Sequence, residues 1–411
     1  MAAEPEPTGR WFQLLVLSLA VLLVLGTWFS GTAVSGSLRD AWGIDPLGVA
    51  SLTVAVQLGF AASALALAGF GVPDVVPARW LIPIGGAVAA VANTGFALLA
   101  HDLATALPFR FLTGAGIAAV YPVGMKVLAG WFRRERGLAV GTLIGAITVG
   151  SALPHLLRAA GLALSLDWQA IVLGASGGAA IGAVIALFSV ADGPFDVPAA
   201  RFSLAVARAA LRERSVLLAN LGYLGHMWEL FAMWSWIPVF LAASWAVSGT
   251  TTAAVASLGA FAVVAAGGAG CVVAGALADR LGRTTLTMAA MALSGSFAVI
   301  TGLLFGAWPI LVLVAALIWG VTVVADSAQF STAVSELSPP GTAGSALTLQ
   351  TAAGFLLTAV TIYAVSLLNP ADATGWRVAF AVLALGPAAG ITAMWRLRRR
   401  PDATRMASGR R

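Results

Sequence analysis

The stretch Gly275-Ala-Leu-Ala-Asp279-Arg280-Leu-Gly282-Arg283 sets an acid, two arginines and a glycine directly behind a long apolar run. A related stretch, Gly69-Phe-Gly-Val-Pro-Asp74-Val-Val-Pro-Ala-Arg79, follows an earlier apolar run. Its acid lies 205 residues before Asp279, and the same offset sets Tyr121 on Asp326 and Trp28 one residue from Trp234. A carboxylate in such a loop can accept bonds from a neighbouring helix N-terminus and pair with an arginine. Gly282 permits the tight turn between them. Asp279, Arg280, Gly282 and Arg283 are therefore expected to latch helix ends. Asp74, Arg79 and Lys126 are the corresponding candidates in the first half.

Outward from these loops, apolar runs fill the chain. A membrane-spanning helix needs about 20 mainly apolar residues. Twelve such stretches lie near 11–34, 48–70, 81–100, 104–129, 137–160, 169–190, 215–242, 252–277, 285–305, 308–331, 343–367 and 376–396. The alternating pattern of a membrane β-barrel is absent. With the N-terminus cytoplasmic, inner loops and ends carry 19 basic residues and outer loops 3, Arg39, Arg158 and Arg377. That bias is the positive-inside signature and predicts both termini in the cytoplasm. The one long inner connection, 191–214, carries Pro194, Pro198 and a helix-capping Ser203, with Arg201, Arg208 and Arg212 recurring on one face. It reads as an amphipathic linker on the inner leaflet. The expected organisation is a six-helix bundle over 1–190, the linker, a second six-helix bundle over 215–396 and a basic tail over 397–411. The fold class is all-α integral membrane, with two pseudo-symmetric halves.

Composition agrees. Of 411 residues 60% are hydrophobic and 10% charged, whereas a soluble domain carries about 25% charge. Lipid is the solvent this chain expects. The net charge of +6 is spread over short loops, without the single basic face of a nucleic-acid binder. The single cysteine, Cys271, excludes an intrachain disulfide. His101, His155 and His226 are scattered without metal-ligand spacing. No P-loop lysine points to ATP, and no glycine-rich nucleotide loop follows a strand, so no enzyme and no cofactor are expected. The run from Trp11 to Val34 is too long for the apolar core of a signal peptide.

The loop signature at 275–283 resembles the G-x-x-x-D-R-x-G-R motif of the major facilitator superfamily, and that at 69–79 a degraded copy. Arg110-Phe-Leu-Thr-Gly114 resembles the family's R-x-x-x-G motif. Gly137, Gly141, Gly145, Gly150 and Pro154 are a loose version of its glycine-rich antiporter motif, without the G-P-x-x-G-G core. The resemblance covers the whole chain. It implies a twelve-helix secondary transporter with a central cavity lined by the first, fourth, seventh and tenth helices.

Ionisable groups inside a bilayer need a partner, a wet cavity or a function, since even insertion scales put them at about 2.5–3.5 kcal/mol. Arg110 lies about two turns below the outer end of the fourth stretch. It reads as a cavity cation that meets an anionic solute or tunes a proton carrier, or as a snorkelling arginine capping carbonyls. In the seventh stretch Tyr223, His226 and Glu229 are spaced by three, so His226 and Glu229 share a face. They read as a protonatable pair or as polar packing between helices. Glu229 is expected near the midplane. Asp326 and Gln329 share a face of the tenth stretch, nearer the cytoplasm, with Tyr121 and Lys126 at similar depth. Trp28 and Trp234 line a cavity or face lipid. The candidate solute residues are thus Trp28, Arg110, Tyr121, Tyr223, His226, Glu229, Trp234, Asp326 and Gln329; the candidate proton carriers are Glu229, Asp326 and Arg110. Gln57, Asn93, His155 and Gln350 read as interhelical glue.

The expected function is alternating-access transport of a small organic solute. Proton-coupled efflux antiport comes first, on the strength of the antiporter resemblance. Uptake or exchange of a small anion comes second, and a non-transporting membrane sensor or scaffold is the alternative of another class. The expected setting is a monomer in a bacterial inner membrane, with a small molecule and protons as partners and neither nucleic acid nor ATP.

Overall fold

The computed structural model describes residues 7–195, 203–249, 252–368 and 370–410, and of Asp74, Arg136, Asp279 and Ser408 the backbone alone. The described residues form helices and turns with no strand. Eleven helical segments are long and apolar enough to cross a membrane. The first crossing is made by a shorter helix, Arg10–Leu25, continued past a break by Ser30–Ala33. The others run Pro46–Gly69, Ala78–Leu99, Leu103–Trp131, Arg136–Ala163, Trp168–Ser189, Arg214–Val247, Ala253–Leu281, Arg283–Leu303, Pro309–Leu337, Ala343–Leu368 and Ala373–Arg398. Numbered in chain order, these are spans one to twelve.

Three of the spans expected as unbroken helices are interrupted. Span one loosens over Gly26–Phe29, where amides bond three residues back: Gly26 to Leu23, Thr27 to Val24 and Trp28 to Leu25. Span four breaks between Ala118 and Tyr121. Pro122, which has no amide to donate, begins the second piece. Span ten breaks between Val323 and Ser327, around Asp326. The breaks in spans four and ten are separated by the 205-residue offset seen in the loops. Span seven has no break and, at 34 residues, is about 51 Å long at 1.5 Å per residue.

The two halves meet along two seams. Span five packs on span eight so closely that a Cβ on Gly141 would sit 2.7 Å from the carbonyl oxygen of Cys271, and one on Gly145 2.9 Å from that of Gly268. Only glycine permits this approach, the small-residue packing used by helices in lipid. Span two packs on span eleven, with Ser51 Oγ 2.9 Å from the Tyr363 hydroxyl and the rings of Phe60 and Phe355 4.3 Å apart.

The termini face carries the connectors. Leu204–Arg212 is a short helix capped by the Ser203 hydroxyl, with Ala207 and Ala210 buried and Arg208 and Arg212 exposed. Ser203 N donates to Ser345 at the start of span eleven. Arg201 lies outside the described residues. The tail is folded into two short 3-10 turns, Pro401–Arg405 and Ala407–Gly409. Ser215 donates to Asp402, and the Ala407 amide donates to Glu336.

Candidate functional site

A small central cavity of about 50 Å³ lies between the halves. Hydroxyls of Tyr121, Thr148, Ser151, Tyr223, Ser327, Ser331 and Thr351 line it, with the rings of Trp28, Phe231, Trp234 and Phe355. No charged side chain lines it among the described residues. The indole N–H groups of Trp28 and Trp234 are buried and without an acceptor among the described residues. Buried donors are nearly always paired, so these two are free to bond a guest.

Tyr121, Ser331 and Thr351 also line a cleft of about 400 Å³ between spans two, four, ten and eleven. Leu67, Gly71, Lys126 and Leu347 border it, all near the termini face. Toward the opposite face the path is closed by rings from both halves. Trp28 stands 5.3 Å from Phe60, 5.5 Å from Phe231 and 5.5 Å from Phe355, and Phe29 stands 6.0 Å from Trp234. Trp28, Phe29, Phe60, Phe231, Trp234 and Phe355 are all at most 7% exposed. Beyond this plug a separate cavity of about 250 Å³ lies under the opposite face. The cavity system is therefore open toward the termini face and shut toward the other.

Arg110 is fully buried and lines none of these cavities. Its guanidinium donates to the carbonyls of Thr27 (3.1 Å), Trp28 (2.5 Å) and Leu52 (3.4 Å), to Ser30 Oγ (2.9 Å) and to Asn93 Oδ1 (2.8 Å). The carbonyls of Thr27 and Trp28 are ones that the break in span one frees from helical bonding. Phe96 lies under the guanidinium, its ring centre 5.3 Å from Cζ. Asn93 extends the network, donating to Val172 O and Ser176 Oγ. Of the two readings open to Arg110, carbonyl capping is the one its contacts describe.

The seventh span does not use His226 and Glu229 as a mutual pair. His226 Nδ1 lies 2.8 Å from Asp326 Oδ1 on span ten. Glu229 instead accepts from Trp319 Nε1 on span ten at 2.7 Å and from Ser294 on span nine. Glu229 is 1% exposed, with no cation in ion-pair range among the described residues. Residues three apart share a broad face, and that face here meets two neighbours at once. The contact sets Asp326 level with His226; the two lie 11 and 12 residues from the termini-side ends of their spans, Leu337 and Arg214. Both carboxylates lie behind the cavity wall: Tyr223, Met227 and Leu230 line the cavity, whereas His226, Glu229 and Asp326 do not.

The remaining candidates fall near the termini face. Gln329 accepts from Arg283 at 2.7 Å, and Arg283 makes a two-point pair with Glu336 at 2.7 and 2.8 Å. Gln329 thus belongs with the loop residues, not the cavity. Gly282 turns the chain with φ 87°. Arg280 and Arg79 are exposed, with Arg79 6.0 Å from the Trp80 ring centre. Lys126 donates to Pro73 O at 2.8 Å, tying span four to the first charged loop. The side chains of Asp74 and Asp279 lie outside the described residues. Sequence reading missed the ring plug of Phe60, Phe231 and Phe355, the partners Ser294, Trp319 and Glu336, and the hydroxyls of span five. Only the 205-residue offset, which pairs the two halves, hinted at where they meet.

Three broken helices around a central cavity, two packed seams and a closure on one face are the architecture of a secondary transporter. The Major Facilitator Superfamily family model matches residues 16–362, and the chain belongs to that superfamily. It is a multi-pass membrane transport protein, not an enzyme. Among solved structures it is similar to the partially occluded inward-open conformation of the xylose transporter XylE from E. coli, at 16% identity and a TM-score of 0.72, covering 95% of this chain and 98% of that one. It is also similar to a D-xylose-proton symporter, at 18% identity and a TM-score of 0.73, covering 96% and 99%. At these identities the likeness is one of fold. No curated protein matches the chain.

Proposed function

We propose that the chain is a proton-coupled transporter of a small uncharged organic solute, working as a symporter with its termini in the cytoplasm. The observation that carries the solute class is the central cavity, which among the described residues has seven hydroxyl-bearing side chains, two indole N–H groups without acceptors and no charge. That lining suits a guest with acceptor oxygens and an apolar face. The proton carriers in this reading are Glu229 and the His226–Asp326 pair. They stand behind the wall, so proton and solute can be held together, as symport requires. Efflux antiport drew its support from Arg110 and the fifth-span glycines. Arg110 caps carbonyls, and Gly141 and Gly145 permit close packing on span eight. Both are accounted for without antiport. One structural neighbour is a D-xylose-proton symporter, of the same coupled kind. The 19-to-3 basic bias supports the orientation.

The test has two steps. Purified protein is screened for thermal stabilisation by neutral, anionic and cationic solutes, with D-xylose among the neutral ones. The best ligand is then offered to reconstituted vesicles under an imposed proton gradient, acid on the side opposite the termini. Accumulation that a protonophore abolishes is expected. Stabilisation confined to charged solutes, or accumulation only against an opposing proton gradient, overturns the reading.

A further inference from the structure

The cavity under the opposite face is not part of the solute path in this state, because the ring plug separates it from the central cavity. It holds about 250 Å³ and is lined by both halves. Span five contributes His155 and Arg158, and the short helix Ser35–Trp42 that follows span one contributes Arg39. Spans seven, eight and twelve contribute Trp236, Ser257 and Trp376.

Beside the hydroxyls of Thr32, Ser35 and Ser257, the lining brings side chains rich in donors. His155 is 2% exposed, lines the cavity and has no hydrogen bond among the described residues. The indole N–H of Trp376 is buried without an acceptor among the described residues, in a side chain 1% exposed. Arg158 spends one N–H on Ser37 Oγ at 2.9 Å, which leaves the rest of its fork. Neither Arg39 nor Arg158 forms an ion pair within 4 Å among the described residues; Asp40 attracts Arg158 from beyond that range, and no carboxylate lines the cavity. Two cations, a histidine and an indole N–H thus face a space walled by tryptophan, proline and alanine. A guanidinium fork fits a carboxylate in two-point geometry, and the apolar walls fit a ring or short chain beside it.

We infer that this cavity is a second ligand site, for a small organic carboxylate, which clamps the two halves together at the outer mouth. A guest touching Arg158 on one half and Trp376 on the other loses those joint contacts when the mouth opens. It therefore binds the outward-closed state more tightly and shifts the population toward it. The consequence is non-competitive inhibition of solute entry from the outer side. The site does not rest on the proposed coupling or on the solute of the central cavity.

The test is direct binding to the purified full chain, with benzoate as probe and benzamide as its uncharged analogue. Benzoate is expected to raise the melting temperature and to bind saturably by calorimetry, and benzamide to do neither. Arg158→Gln is expected to weaken benzoate about tenfold or more, the usual worth of a charge-assisted bond. Arg39→Gln, at an exposed position that the fold does not need, is expected to weaken it by a smaller factor and serves if Arg158→Gln fails to fold. Equal binding of benzoate and benzamide, benzoate affinity unchanged in Arg39→Gln and in any folded Arg158→Gln, or no benzoate binding at all overturns the inference. Because the readout is binding, a failure here leaves the proton-coupling test untouched.

Discussion

The two six-helix halves share a fold and a broken central helix, yet they bury charge in opposite ways. In the first half the one charge set deep among the spans is Arg110, which is saturated by neutral acceptors: three carbonyls, a hydroxyl and an amide. In the second half, apart from Arg283 paired with Glu336 at the termini face, the buried ionisable groups among the described residues are two carboxylates and a histidine, with few partners each. No Asp or Glu lies within the spans of the first half; apart from Glu4 and Glu6, which lie outside the described residues, its acids sit at Asp40, Asp45, Asp74, Asp102, Glu135, Asp167 and Asp192, in loops or at helix ends. A saturated guanidinium is a strut, because moving it would strand several polar groups at once. A carboxylate held by two neutral donors can gain or lose a proton with little rearrangement. Under the proposed function, structure falls to the first half and coupling to the second.

Replacing the strut is expected to have the largest effect. Arg110→Met should leave the carbonyls of Thr27 and Trp28 and the Asn93 side chain without their donor. Each stranded buried group costs about 1–3 kcal/mol, so the loss should be several kcal/mol in total. Fluorescence-detected chromatography and thermal unfolding in detergent should show a large fall in folded yield and melting temperature. Arg110→Lys keeps the charge but not the fork, and should recover only part of the loss. A well-folded Arg110→Met protein that has lost only coupling would move the proton machinery into the first half and reverse the comparison.

The carboxylates are expected to behave in the opposite manner. Glu229→Gln keeps the acceptor for Trp319 and cannot release a proton, and Asp326→Asn does the same beside His226. Both variants should fold and bind solute with near-normal affinity. Both should exchange solute across vesicles without a gradient, while gradient-driven accumulation falls by about tenfold or more, as for loss of an acid–base group. Wild-type accumulation in both variants removes coupling from the second half.

Much of this contrast was legible in the sequence, and the reason for the rest is geometric. Spans, halves and charged loops are written in runs of twenty residues and in one repeat, which composition exposes directly. The candidate ionisable residues were legible too, because charge inside an apolar run is rare. Their partners were not. The spacing of His226 and Glu229 places them on one face, but which neighbours that face meets depends on how spans nine and ten pack. Arg110 left two readings open, cavity cation or carbonyl cap, because nothing local reveals the loosened turn at Gly26–Phe29 that supplies its acceptors. The ring plug stayed hidden for a simpler reason: Phe60, Phe231 and Phe355 are indistinguishable in sequence from lipid-facing phenylalanines.

A milder change sharpens the comparison at the seam between the halves. Phe355 lies tilted against Phe60, Phe231 and Trp28 together. Phe355→Ala removes a second-half ring that touches all three, so the plug should leak while both halves stay folded. Core Phe→Ala changes cost about 3–5 kcal/mol in water-soluble proteins; beside a cavity already present the cost should fall toward the lower end. The expected signature is solute efflux that continues when the proton gradient is removed, with Glu229→Gln no longer altering accumulation in the double variant. Tight, fully coupled transport by Phe355→Ala places the closure elsewhere, with the Ser51–Tyr363 contact next in line.

The smallest expected effect lies at the outer ends of the two corresponding broken helices, spans four and ten. Span four begins with a full capping box: Asp102 accepts from the Thr105 amide at 2.8 Å, while the Thr105 hydroxyl accepts from the Asp102 amide at 3.2 Å. Span ten begins at Pro309 behind Trp308, with no side-chain cap. The Thr105 hydroxyl and amide hold the Asp102 carboxyl below the usual carboxylate range, because both bonds favour its charged form. A group whose folded pKa is depressed contributes stability that is present above its unfolded value, near 4, and lost as pH falls through the folded one. Span four should therefore loosen slightly at its outer end in acid, and span ten should not. The group is exposed, so solvent screens the effect and it stays small. Asp102→Asn retains a cap and should abolish the acid-dependent part alone. Hydrogen exchange of the 103–106 amides at neutral and acidic pH reads this directly. Exchange there that is indifferent to pH in the wild type, or that still rises in acid in Asp102→Asn, would show that the cap is not what differs between the two helix ends.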